Sequence, residues 1–285
     1  MKKFLKITVL ILALCAFLAS CEKELTAEEK AARFTYPDPE TSGDYKTGDT
    51  IEKDNIIYTV KKDDTLAVTS YKGDELSLTI PEKVKGLYVT EIGEGAFKES
   101  YNVSYVTIPN RVTRIGDEAF YNCVNLINIM GAEGVRSVGA HCFTGTAAAA
   151  YSDEDFVVVG GILIAYKGSD TNVVIPDGVR IISTAFANRA DISSVTIPKS
   201  VKVIGESAFE GATSIKALDL TSSVIRVEDK AFYGCTSLES IYIPYSVAEF
   251  GEDIFEGCSE NLTAQCAISS AGELYCMENN IKILG

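Results

Sequence analysis

The feature that most constrains this chain is a period. Phenylalanine stands at positions 97, 120 and 143, then at 186, 209, 232 and 255, and every interval is 23 residues except one of 43. Other columns keep the same step. Five residues before the phenylalanine lies Ile115, Val138, Ile204, Val227 or Phe250, and eight before lies Val112, Val135, Val201, Val224 or Val247. Six after lies Val103, Leu126, Ile192, Ile215 or Leu238, and nine after lies Val106, Ile129, Val195, Leu218 or Ile241. A chain that repeats its apolar residues at one spacing cannot bury them within a single unit, so successive units must stack on one another.

The unit reads most clearly as IPNRVTRIGDEAF from Ile108 to Phe120, which returns as IPKSVKVIGESAF from Ile197 to Phe209. The stretch leading to Ile-Pro alternates as a strand does. In Leu238 to Ile243, Ile241 and Ile243 point inward while Ser240 and Tyr242 point outward. Proline follows the strand at 81, 109, 176, 198 and 244; lacking an N–H, it stops the ladder and turns the chain. Glycines 93, 116, 139, 205 and 251 precede a segment like GDEAF, which suits a tight helical turn, although Glu228 holds the same slot. The expected fold is therefore a repeat solenoid, mostly β, with one short parallel strand per coil and short helical turns on the opposite side. A period of 23 falls within the range of leucine-rich repeats.

These residues resemble the BspA-type leucine-rich repeat family, whose units run IP-x-x-V-x-x-IG-x-x-AF-x-x-C-x-x-L. The resemblance spans roughly Ile56 to Gly285. It departs locally where Met130 ends without proline, where Cys142 takes the alanine slot, where the coil before Phe186 is one residue short, and where Leu220 and Thr221 replace Ile-Pro. The resemblance implies a right-handed leucine-rich-repeat-like superhelix and a role in cell-surface adhesion or protein binding.

Outside the repeats, Met1 to Ser20 has a basic start and a short apolar run, as a secretory leader does. It ends Leu18, Ala19, Ser20, Cys21, which resembles the lipobox of bacterial lipoproteins and implies acylation at Cys21; an ordinary cleaved leader is the alternative. Glu22, Lys23 and Glu24 resemble a surface-export signal, with retention facing the periplasm as the other outcome. Residues 21–55 are polar and carry Pro37, Pro39, Gly43 and Gly48, so they read as a flexible tether, within which Thr26 to Arg33 could form a short helix. Folding is expected to begin near Ile56 and to fill 56–285, with hairpin elaborations near 56–80 and 151–175 and a cap over 256–285. Gly160-Gly161 gives the second hairpin its turn. In the cap, Ser270 and Glu273 form a capping box before a helix reaching Asn279, and a last strand runs from Ile281 to Leu284.

Formal net charge is -14, and removal of Lys2, Lys3 and Lys6 with the leader takes it to -17. That balance opposes nucleic acid and anionic lipid headgroups, so membrane contact is expected through the lipid anchor alone. No catalytic constellation appears, and neither enzyme activity nor a cofactor is expected. His141 is the one histidine and reads as a surface residue. Cys123, Cys235 and Cys258 share a repeat slot, where packing explains them; disulfides Cys235–Cys258 and Cys266–Cys276 stay open. Asp153, Glu154 and Asp155 could hold calcium, but a solvated turn explains them better.

What remains is the outward strand face, at positions eight and ten after each phenylalanine. It presents Tyr105 and Thr107, Asn128 and Met130, Ser194 and Thr196, Ala217 and Asp219, Ser240 and Tyr242. The expectation is a lipid-anchored, outer-membrane, non-enzymatic module that binds an extracellular protein through this face. A glycan-binding surface lipoprotein and a periplasmic structural or assembly protein are the alternatives.

Overall fold

A computed structural model describes residues 44–284. The leader, Cys21 and the first part of the tether, with its candidate helix, lie outside the described residues. The chain opens with an antiparallel sheet of β1 (Thr50–Lys53), β2 (Ile56–Val60) and β3 (Leu66–Tyr71), followed by β4 (Ser77–Thr79), β5 (Lys83–Val84) and β6 (Leu87–Ile92). Among the described residues, regular structure starts at Thr50, ahead of the expected Ile56, because Thr50 to Lys53 pairs residue for residue with Ile56 to Thr59.

Each later coil gives two strands where the sequence suggests one. The first half continues with β7 (Tyr105–Thr107) and β8 (Arg114–Ile115), then β9 (Asn128–Met130) and β10 (Ser137–Val138), and ends in the short helix α1 (Ala147–Tyr151). A second hairpin follows, β11 (Phe156–Val159) and β12 (Ile162–Tyr166), then the pairs β13 (Asn172–Val174) with β14 (Ile181–Ile182) and β15 (Ser194–Thr196) with β16 (Val203–Ile204). The last full coils hold β17 (Ala217–Asp219) with β18 (Arg226–Val227) and β19 (Ser240–Ile243) with β20 (Glu249–Phe250). The end is closed by β21 (Thr263–Cys266), α2 (Ala271–Glu278) and β22 (Lys282–Leu284). In α2 the Ser270 hydroxyl accepts from the Glu273 amide at 3.1 Å, and the Glu273 carboxylate accepts from the Ser269 amide at 2.6 Å.

The longer strands stack in parallel as β4-β7-β9, β13-β15 and β17-β19-β21-β22. The two-residue strands stack on a separate side, β8 and β10 following the six-residue β6 beyond the first hairpin, and β14-β16-β18-β20 beyond the second. A third ladder runs through the Gly-to-Phe turn. There the Phe97 amide donates to Ala119 O at 2.8 Å, Phe120 to Cys142 O at 3.0 Å, and Phe209 to Ala231 O at 2.8 Å. This turn is tighter than a helix: Ala119 N–H closes on Gly116 O, and the residues two before and two after the phenylalanine take positive φ, as Glu118 (52°) and Asn122 (55°) do around Phe120. In the short coil before Phe186 this turn is a 3-10 helix, Thr184–Phe186.

Close stacking explains the recurrent glycine. A Cβ on Gly116 would lie 2.6 Å from the backbone nitrogen of Glu94 in the coil before it, closer than any side chain permits. Inside the coils the phenylalanine rings form columns. Phe97, Phe120 and Phe143 stack at centroid distances of 5.1 and 5.5 Å; Phe186, Phe209, Phe232 and Phe255 stack at 5.0, 5.3 and 5.4 Å. Tyr71 heads the first column and Tyr166 the second, each on the last residue of a hairpin.

The second hairpin is therefore a new beginning rather than an insertion. Sheet β1-β2-β3-β6-β8-β10 ends at β10, and a fresh six-stranded sheet starts at β11. The two halves meet on one side of the second. Ile181 and Val203 occupy the outward position that Arg114, Ser137, Arg226 and Glu249 hold elsewhere, and both are buried in the core of the first half. Arg180 fastens the seam, its guanidinium donating to Ala132 O at 2.8 Å and Gly160 O at 2.9 Å.

The ring columns predict where truncation is felt most. Phe209→Ala, between two stacked neighbours and wholly buried, should cost about 3–5 kcal/mol in urea unfolding. Phe255→Ala, at the half-open end of the same column, should cost clearly less; equal losses would show that the column does not carry the packing.

Candidate functional site

The ten outward residues singled out by the sequence fall where alternation puts them. In parallel register, Tyr105 pairs with Asn128 and Thr107 with Met130, while Ala217 pairs with Ser240 and Asp219 with Tyr242. Ser194 and Thr196 pair with Asn172 and Val174, and the Ser194 hydroxyl donates to Asn172 Oδ1 at 2.7 Å. Tyr105, Met130, Ser194, Thr196, Ala217, Asp219 and Tyr242 are exposed; Thr107, Asn128 and Ser240 are half-buried. The structure does not bring all ten into one sheet. They divide into three short sheets, with one gap between β9 and β13 and another between β15 and β17, which form no ladder.

Composition sets this face apart. The whole chain carries 66 charged residues among 285, but only Asp219 of the ten is charged. Its largest side chains are exposed, with Tyr105 at 39%, Met130 at 46% and Tyr242 at 43%. At the gap after β9 the surface is more apolar still. Ile127, Ala148, Tyr151 and Val158 line a groove of about 530 Å³ between α1 and β11. The sequence reading does not include this groove, because its residues come from the end of one half and the start of the next.

A second cleft, of about 230 Å³, opens along the seam and is lined by Arg114, Ser137, Glu206, Arg226, Glu228 and Asp229. Two of its acids, Glu206 and Glu228, are half withdrawn from water, while Asp229 is exposed. The Glu206 carboxylate accepts from the Ala140 amide at 3.3 Å across the seam, and Glu228 Oε1 lies 3.7 Å from Arg226. Burial raises the Glu228 carboxyl above its usual range, and Ser137 and Arg226 only partly offset it. Glu206 is raised first by burial and then by Asp117. Glu228 is the residue that replaces the stacking glycine, so the departure noted in the sequence marks the place where the halves touch.

Other candidates stay apart. His141 is exposed, and so are Asp153, Glu154 and Asp155. Among the described residues no group of three or more His, Cys, Asp or Glu side chains gathers into a metal site, and no helix is long and apolar enough to cross a membrane. All six described cysteines are free thiols.

Comparison with protein families matches residues 76–152 and 165–282 to the BspA type leucine rich repeat region, in six copies. The chain belongs to the BspA-type leucine-rich repeat family. The break between its two matched stretches, residues 153–164, covers most of the second hairpin, so the BspA-type repeats are interrupted where the sheet restarts. No curated protein matches the chain. Among solved structures, it is similar to a leucine rich cell surface protein from Faecalibacterium prausnitzii, with 21% identity over 83% of this chain and 98% of that one and a TM-score of 0.35. It is also similar to the leucine rich repeat protein of T. pallidum, with 22% identity, coverage of 83% and 98%, and a TM-score of 0.41. A third similarity is to the pneumococcal vaccine antigen PcpA, with 18% identity, coverage of 78% and 82%, and a TM-score of 0.38.

The seam acids set a sign for the effect of pH. A carboxyl raised in the fold binds its proton more tightly there than in the unfolded chain, so stability falls as pH rises from the ordinary carboxyl range through the raised value. Glu228→Gln should therefore raise the thermal midpoint at neutral pH by about 2 °C or more, and the gain should vanish as pH falls toward about 4. A lowered midpoint at neutral pH would show that the Arg226 pair outweighs burial.

Proposed function

We propose that this chain is a cell-surface lipoprotein, held in the outer membrane by acylation at Cys21, that binds an extracellular protein through its longer-strand face. The reading is carried by one observation: a set of outward side chains, aligned in register within each of three short sheets, with a single charge on an otherwise strongly acidic chain. Protein interfaces are depleted of charge at their centres and enriched in tyrosine and methionine, which is the composition of Tyr105, Met130 and Tyr242. The backbone ladders hold these side chains in place before any partner arrives, which lowers the entropy lost on binding. The module works by adhesion rather than by chemistry, needs no cofactor, and touches the membrane only through its lipid.

The hydroxyl and amide groups of Thr107, Asn128, Ser194, Thr196 and Ser240 also suit a glycan. The two ligand classes separate in one assay. The fragment Glu22 to Gly285, presented to arrays of matrix proteins, host-surface proteins and polysaccharides, should respond to proteins. Replacing Tyr105, Met130 and Tyr242 together by lysine should weaken that response by about tenfold or more while leaving circular dichroism unchanged. A response confined to polysaccharides would transfer the face to the glycan reading. Address is tested separately by protease treatment of intact cells: cleavage is expected before lysis, and protection until lysis would place the protein facing the periplasm, in the structural or assembly role.

A further inference from the structure

The described thiols fall into three groups. Those in the repeat slot are already hydrogen-bonded to the preceding coil: Cys123 Sγ donates to Phe97 O at 2.9 Å, Cys235 to Phe209 O at 3.1 Å, and Cys258 to Phe232 O at 3.1 Å. Each satisfies a carbonyl at the ring column. Cys142, in the alanine slot, is wholly buried.

Cys266 and Cys276 lie outside the repeat and serve no such ladder. Cys266 ends β21 and is half-buried. Cys276 lies on the buried side of α2, four residues beyond Gly272, and these two are the buried residues of that helix. Gly272 is pressed against the strand layer: a Cβ added to it would lie 3.6 Å from Cys266 Cβ and 2.8 Å from Ile243 Cγ2. Residues four apart on a helix share a face, so Cys276 sits one turn along from that contact, on the side of α2 that packs against β21, and near enough to Cys266 for each thiol to shift the other's titration.

We propose that Cys266 and Cys276 close as a disulfide that staples the cap helix α2 to strand β21. In the reaction, the more accessible Cys266 loses its proton and its thiolate attacks one sulfur of an oxidant disulfide, such as that of a protein thiol oxidase, releasing one thiolate. Cys276, deprotonated in turn, attacks the Cys266 sulfur of the mixed disulfide and releases the second. Two thiols lose two electrons and two protons, and the oxidant becomes two thiols. Burial pushes the Cys276 thiol up to about 12, so the second step is slow without a catalyst and faster in alkali.

Cys235 and Cys258, also neighbours, are the poorer pair. They sit at the same slot of successive coils, about 4.8 Å apart and so within disulfide reach by Cα distance, but each thiol already donates to a carbonyl of the coil before it. Joining them would also free the carbonyls of Phe209 and Phe232. The staple has a clear use at the C-terminal end. An eight-residue helix is marginal by itself, and here it carries Tyr275, whose ring stacks on Phe250 at 4.7 Å and closes the open end of the ring column on Phe255.

The test is a disulfide map of the full-length protein, reduced, equilibrated with oxidised glutathione at alkaline pH, alkylated before and after unfolding, and digested. The expected product is a peptide joining Cys266 to Cys276, lighter by two hydrogens than its parts, with the buried Cys123, Cys142 and Cys235 alkylated only after unfolding and the half-buried Cys258 alkylated as a free thiol. The oxidised protein should melt about 5 °C or more above the reduced form, and Cys266→Ala should abolish that difference without lowering the reduced midpoint by as much. Free Cys266 and Cys276 after equilibration, or a Cys235–Cys258 peptide in their place, would overturn the proposal. The map is independent of the ligand, so its failure leaves the binding face untouched.

Discussion

Two spacings must agree for this chain to fold, and they do. Backbone ladders between parallel strands set neighbouring coils about 4.8 Å apart. Phenylalanine rings in face-to-face register need about the same distance, and the columns show 5.0 to 5.5 Å with rings tilted by 5° to 19°. One translation therefore satisfies the hydrogen bonds on three sides of each coil and the packing at its centre. That agreement also explains the glycines, since a side chain at Gly116 would hold neighbouring coils further apart than either the ladders or the rings allow.

Where the chain departs from its own repeat, the departure coincides with a boundary. The 43-residue interval holds a hairpin, and the hairpin gives the second column a tyrosine head just as the first has. Ile181 and Val203 turn an outward position apolar where the halves meet, and Glu228 fills a glycine slot on the same seam. Irregular residues here are interface residues within the molecule.

The columns, the prolines and the outward strand positions were legible because each repeats at a fixed step, and repetition separates constraint from coincidence. The second strand of each coil was not, because two residues such as Arg114 and Ile115 are too short to show alternation. The positive φ values were hidden too: Glu118, Ser207 and Lys230 take them, although their residue types give no hint of it, because the inter-coil ladder over-determines the turn. The early start at Thr50 and the apolar groove near Tyr151 depend on pairing and on chain ends, which a periodic pattern does not report. Regarding the proposed binding face, the sequence identified which side chains point out, and only the sheet pairing revealed that they lie in three separate sheets.

The second hairpin has a mechanical consequence. In a stack where each coil grips only its neighbours, tension at one end removes coils one at a time. Peeling that starts at β1 would travel through the first column and then reach β11 and β12, an antiparallel pair turned through Gly160-Gly161 and locked by Arg180 to the carbonyls of Ala132 and Gly160. Under the proposed N-terminal anchor, a stack built this way would yield in two stages, and the far half could keep its shape while the near half has already paid out as slack.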